Sequence, residues 1–246
     1  MSNSSFYYYK KKVNKGKIVK DIIIIYIITV MTVIMFNSFL FQAFKVPSHS
    51  MSPTLDNNTR IIVDKFSIGP KIPCTNKRFF DSTAKNLNRG DVVVFMSNEY
   101  YKKNVFMRSI STLINTLTFT TIDIVTMKNK YDSNIYVKRI IGLPGDTIQF
   151  KIMDNNVIIV QINGLQEKEV ILSQYQIIEE NRSNSKLLSA MLLHNEITIP
   201  ENQYYLLGDN RAGSSDSRVF GSINKNQIIG KAIFKYWPTD KFGVMQ

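Results

Sequence analysis

Three short stretches of this chain carry side chains able to break a covalent bond. The first is VPSHSMSPTL, Val46 to Leu55. Pro47 and Pro53 fix φ on either side and keep helix from forming between them. Ser48 and Ser50 are two apart, so an extended chain turns both hydroxyls the same way and His49 the other way. A serine nucleophile needs a base and a group that holds the oxyanion. His49 is the neighbouring base, yet it faces away. On its own the stretch reads equally as an active-site turn or as a linker, because serine is common in turns.

The second stretch is YVKRIIGLPGDTI, Tyr136 to Ile148, which sets Lys138 and Arg139 inside an apolar strand closed by a Gly-Leu-Pro-Gly-Asp turn. Alternation sends the two cations to opposite faces. A lysine aimed at a core loses stability as a cation, its pKa falls, and the neutral amine is a competent general base. The competing reading is an edge-strand lysine that snorkels its ammonium to water. The third stretch, LLGDNRAGSSDSRVFG from Leu206 to Gly221, ends a strand and enters a turn dense in Ser and Asp. Short polar side chains fix such a loop by bonding its backbone. Asp209, Asp216, Arg211 and Arg218 also suit a structural ion-pair network.

The elements around these stretches read as mostly β. RIIVDKF (Arg60–Phe66), DVVVF (Asp91–Phe95), IYVKRIIGL (Ile135–Leu143), TIQFKI (Thr147–Ile152), VIIVQING (Val157–Gly164), EITI (Glu196–Ile199), QYYLLGD (Gln203–Asp209) and KAIFKYW (Lys231–Trp237) are short β-branched or aromatic runs. Turn residues punctuate them, and no alternating helical pattern intervenes. That predicts an all-β barrel or sandwich, with inserted segments near 97–134 and 173–194. Gly90 in Arg89-Gly90-Asp91 turns the chain into a buried strand, which argues against an adhesion tripeptide.

Ahead of this body, Ile22 to Phe44 is a run without charge, long enough as a helix to span a hydrocarbon core of about 30 Å. It exceeds the usual signal-sequence apolar region and lacks a good small-x-small cleavage pair. It is therefore expected to be a retained transmembrane helix over 22–44. Lys10, Lys11, Lys12, Lys15, Lys17 and Lys20 crowd residues 1–21, which predicts a cytoplasmic tail and an extracytoplasmic body over 45–246. The formal charge is +12, and the placement of this excess favours an anionic membrane surface over nucleic acid. A single cysteine, Cys74, excludes an intrachain disulfide and a thiolate cluster. His49 and His194 lack metal-ligand spacing, and no cofactor is implied.

Taken in order after an apolar N-terminal run, the three stretches with RIIVDKF and RGDVVVF between them resemble the boxes of type I signal peptidases, or leader peptidases. These are membrane-anchored serine proteases that remove signal peptides. The resemblance covers the anchor and most of the β body. It implies Ser50 as nucleophile, Lys138 as general base of a Ser–Lys dyad, and Ser48 as side-chain oxyanion donor beside the Ser50 N–H. It further implies that Ser214 orients the lysine amine, that Asp216 shapes the site and pairs with Arg218, and that Asp209 partners Arg139. The implied substrates are secretory preproteins with small residues before the cut, processed at the inner (plasma) membrane against lipid, with no nucleic acid. The chain departs from the pattern at Ala212-Gly213-Ser214, where Asp-Asn-Ser is usual, and at His49, where a small residue is common. Two other readings stay open. One is a dedicated Ser–Lys maturation protease for one substrate. The other is a non-catalytic membrane-tethered binding domain.

Overall fold

The computed structural model describes residues 15–72, 78–97, 135–153, 156–171, 175–179 and 195–245. Residues 1–14, Cys74, His194 and most of both expected insertions lie outside the described residues. Helix α1, Lys15–Phe39, has 25 residues and so is about 37 Å long. Among the described residues it is the one helix long and apolar enough to cross a membrane, and no part of its apolar window is buried against the rest of the chain.

The helix differs from the expected 22–44. It is already formed at Lys15, the first described residue, since lysine continues a helix readily. It stops at Phe39, and Phe41–Lys45 is a strand. An apolar run carries no mark of where helix yields to strand. Here the partner decides: Phe41–Lys45 pairs antiparallel with Arg60–Asp64 in the register Phe41↔Asp64 to Lys45↔Arg60. Lys65 then ties the junction. Its N–H donates to Leu40 O and its Nζ to Asn37 O, each at 2.9 Å, capping carbonyls that the last helical turn leaves open.

The strands are β1 (Phe41–Lys45), β2 (Arg60–Asp64), β3 (Val92–Met96), β4 (Ile135–Gly142), β5 (Thr147–Ile152), β6 (Ile158–Ile162), β7 (Leu165–Gln166), β8 (Ile197–Thr198), β9 (Gln203–Leu207), β10 (Ile223–Asn224), β11 (Ile228–Trp237) and β12 (Gly243–Val244). The larger sheet runs β1-β2-β11-β3-β4-β9-β10, with β12 beside β11, and the smaller runs β7-β6-β5-β8. The chain is mainly β, as the runs predicted. Among the described residues the α-helices beyond α1 are single turns: α2 (Thr83–Asn86), α3 (Glu167–Val170) and α4 (Ser217–Phe220).

Alternation sets the register. In β2, Ile61 and Val63 are buried while Arg60 is exposed. A one-residue slip would send Arg60 and Asp64 inward and expose two side chains whose burial is worth about 1.5–3 kcal/mol each. Ile61 and Val63 join Phe44, Val46, Met51, Leu55, Val92, Val94 and Val137 in one core cluster. On the other face Val93, Phe95, Ile140 and Leu206 form a second cluster. The smaller sheet packs Ile148, Phe150, Val160 and Ile162 against Ile141, Tyr205 and Leu207 at the ends of β4 and β9. Central β4, flanked by β3 and β9, is therefore covered on both faces, and anything on it is held rigidly.

Candidate active site

The turn after β1 is pinned from both ends. Val46 N–H donates to Thr59 O at 2.8 Å, and Asn58 N–H returns to Val46 O at 2.9 Å. Ser52 N–H closes a turn on His49 O at 3.1 Å, and Leu55 N–H reaches Met51 O at 2.9 Å. Met51 and Leu55 are fully buried and anchor the segment on either side of Pro53. Ser50, immediately before the Met51 anchor, is itself only 8% exposed, while Ser48 and His49 lie at the surface. Ser48 Oγ donates to Ser50 Oγ at 3.1 Å and accepts from Ser50 N–H at 3.5 Å. The Ser48 hydroxyl and the Ser50 N–H therefore lie next to each other and to the Ser50 oxygen.

Lys138 comes to this point from β4. It lies directly across from Val93, and Arg139 from Val92, so the two cations take opposite faces as alternation requires. Lys138 is 2% exposed, and its Nζ makes a short hydrogen-bond contact with Ser50 Oγ. The snorkelling alternative fails because β4 is central and covered on both faces. Burial lowers the Lys138 amine to about 8, overcoming the nearby Asp216 and Asp209, which raise it; Arg218 lowers it further. Both carboxylates are already neutralised. Asp216 accepts Arg218 Nε at 2.8 Å and Nη2 at 2.9 Å, and Asp209 accepts Arg139 Nε at 2.9 Å and Nη2 at 2.7 Å. Neither is therefore a free counter-ion that would hold the lysine charged.

The third stretch closes the site from behind. Asp216 N-caps α4 through Arg218 N–H and accepts Gly208 N–H at 3.0 Å. Arg218 Nη2 donates to Arg211 O at 2.8 Å and Ser214 O at 3.2 Å, which fixes the loop's course. Ser214 is 0% exposed, and its Oγ has no hydrogen-bond partner among the described residues. The expected bond from Ser214 to the lysine amine is not made in this arrangement, in which Lys138 Nζ engages Ser50.

Three positioning contacts escaped the sequence reading. Gly208 carries no side chain because none fits: a Cβ there would lie 2.2 Å from Ser214 Oγ and 2.5 Å from Ser50 O. Asn210 N–H donates to Ser50 O at 3.1 Å, and its side-chain amide to His49 O at 3.3 Å. Thr54 Oγ1 donates to Asp209 Oδ2 at 2.6 Å, joining the serine turn to the buried ion pair. A glycine at a strand end was the one sequence signal for any of these.

A buried amine on a buried serine hydroxyl is an arrangement that can carry acyl transfer through a serine ester. The model of the family described as signal peptidase, peptidase S26, matches residues 19–237. A signal peptidase I of Bacillus caldolyticus is 31% identical, covering 83% of this chain and 84% of that one. A signal peptidase IB of Staphylococcus aureus is 30% identical, covering 87% and 88%. A solved signal peptidase I from Enterococcus faecalis V583 is 22% identical with a TM-score of 0.31, covering 60% of this chain and 97% of that one. The chain belongs to the signal peptidase family, peptidase S26, and is an enzyme of that family.

Proposed function

We propose that the chain is a membrane-anchored serine endopeptidase that removes N-terminal signal peptides from secreted preproteins, with Ser50 as nucleophile and Lys138 as general base. The observation that carries this is the contact of Lys138 Nζ with Ser50 Oγ in a site that keeps the amine near pKa 8. The substrate's C-region binds extended. β1 ends the larger sheet, so its outer edge accepts main-chain hydrogen bonds from an added strand. Phe44, Val46, Met51, Leu55 and Val137 give that edge an apolar floor that suits small apolar residues before the cut.

Ser50 Oγ attacks the scissile carbonyl carbon while neutral Lys138 takes its proton. The carbonyl oxygen becomes an oxyanion held by Ser48 Oγ–H and Ser50 N–H. Collapse breaks the C–N bond, the leaving amine takes the proton from Lys138, and the signal peptide remains as a Ser50 ester. Water then attacks that ester, again giving its proton to Lys138, and the proton returns to Ser50 as the carboxylic acid leaves. Ser214 steadies the amine when Ser50 is acylated and no longer engages it. Asp216, Arg218, Asp209 and Arg139 fix the frame.

Helix α1 is read as the anchor, which keeps Ser50 near the bilayer where signal peptides emerge. The lysine-rich N-terminal side is assigned to the cytoplasm and the β body to the far side of the plasma membrane. The test is a preprotein with an Ala-x-Ala site, incubated with the detergent-solubilised chain and read by N-terminal sequencing. Cleavage after the second Ala by the wild type and none by Ser50→Ala supports the proposal. Cleavage elsewhere, or equal cleavage by Ser50→Ala, overturns it.

A further inference from the structure

Residues 175–179 belong to a stretch that the sequence reads as an insertion, yet they grip the loop behind Ser50. Ile178 N–H donates to Asp209 O, and Arg211 N–H donates to Ile178 O, each at 2.9 Å, in a parallel bridge centred on Asn210. Asn210 in turn donates its N–H to Ser50 O at 3.1 Å. The side chains flanking Asn210 are fixed by one circuit. Asp209 pairs with Arg139. The Arg139 guanidinium carbon lies 3.8 Å from the centroid of the Tyr175 ring. The Tyr175 hydroxyl donates to Glu167 Oε1. Glu167, on α3 beside the smaller sheet, accepts Arg211 Nη1 at 2.8 Å and Nη2 at 2.6 Å.

The four ions of this circuit are buried and paired, two by two. Tyr175 is the uncharged member that joins one pair to the other, by cation–π contact on one side and a hydrogen bond on the other. Without it each ion keeps its partner, so no lone buried charge results. What is lost is the coupling that makes Asp209, Asn210 and Arg211 move as a unit with both sheets.

We propose that Tyr175 is a positioning residue for the peptidase reaction, clamping the Asp209–Arg211 loop through Arg139 and Glu167 so that Asn210 holds Ser50 against Lys138. The inference rests on the Ser50–Lys138 reading above. Its consequence is selective. The substrate edge β1 lies outside the circuit, so loosening the clamp displaces the nucleophile without weakening peptide binding. Misplacement by about 1 Å lowers turnover by up to about a hundredfold.

The experiment compares full-length Tyr175→Phe, Tyr175→Leu and Ile178→Pro with wild type on the Ala-x-Ala preprotein, reading kcat and KM separately and folding by circular dichroism. Tyr175→Leu removes the ring and is expected to lose at least about tenfold in kcat with KM within about twofold. Tyr175→Phe keeps the ring over Arg139 but breaks the bond to Glu167, and is expected to fall between wild type and Tyr175→Leu in kcat; a kcat equal to wild type would remove the Glu167 side of the clamp. Ile178→Pro deletes the N–H bonded to Asp209 O at a residue that is 43% exposed, leaving every buried side chain in place, and should repeat the kcat loss. It carries the test if Tyr175→Leu does not fold. Wild-type kcat in folded Tyr175→Leu or Ile178→Pro, or a loss confined to KM, overturns the clamp. Full activity of Ser50→Ala overturns the underlying reading as well; a dead Ser50→Ala beside fully active Tyr175→Leu and Ile178→Pro overturns the clamp alone.

Discussion

Replacing Lys138 by methionine should abolish activity and stabilise the fold. The amine is lowered from 10.5 to about 8 chiefly by burial. At about 1.36 kcal/mol per pH unit, keeping the ammonium folded at pH 7 costs about 3 kcal/mol. Methionine fills a similar volume without the charge but forfeits the contact with Ser50, worth about 1 kcal/mol. The expected net gain at pH 7 is about 2 kcal/mol, or roughly 4–8 °C in Tm for a body of this size. The sign follows from proton binding. Between about pH 8 and 10.5 the unfolded lysine holds a proton that the folded one has lost, so wild-type stability rises with pH across that window. Below about 8 both states hold it and the penalty is complete. Packing differences between lysine and methionine do not depend on pH. Wild type should therefore gain about 3 kcal/mol on Lys138→Met between pH 7 and 10.5. Urea unfolding of both proteins in detergent, followed by circular dichroism at each pH, measures this. A stability difference that stays constant from pH 7 to 10.5 would refute the buried-amine reasoning.

Cleavage rate should climb about tenfold per pH unit below the lysine pKa and level off near 8, because only the neutral amine accepts the Ser50 proton; a profile flat from pH 5 to 9 contradicts this. Ser48→Ala should lower kcat by about 10²–10³ with the chain still folded, as loss of one oxyanion donor does elsewhere; an unchanged kcat in single-turnover cleavage would remove Ser48 from that role. Gly208→Ala forces a methyl to within 2.2 Å of Ser214 Oγ and 2.5 Å of Ser50 O. Turnover should fall by on the order of a hundredfold while KM holds, and wild-type turnover would show that the loop gives way freely.

Most of the β body was legible because its strands are short β-branched runs between turn residues. β5 falls on Thr147–Ile152, the stretch that its sequence pattern delimits. β1 was not legible. FQAFK continues an apolar run, and only pairing with β2 makes it a strand. The two-residue strands β7, β10 and β12 fall outside any longer β-branched run, unlike the equally short β8 within EITI, so no pattern marks them. At the site, Lys138 stood out because a cation inside an apolar strand conflicts with its surroundings, and such conflicts mark function. Glu167 and Tyr175 gave no such sign. One is a glutamate on a four-residue helix and the other a tyrosine in a polar stretch. Their partners Arg211 and Arg139 lie 44 and 36 residues away in sequence, so only the folded chain brings them together.

The central claim is that a neutral amine at position 138 draws the proton from Ser50. Lys138→Arg keeps a cation there but cannot shed it at ordinary pH. Single-turnover cleavage of the Ala-x-Ala preprotein by folded Lys138→Arg at pH 8 is the direct measurement. The account predicts a protein as inert as Ser50→Ala. Cleavage at a rate near wild type would mean that position 138 supplies positive charge rather than a base, and would contradict the account.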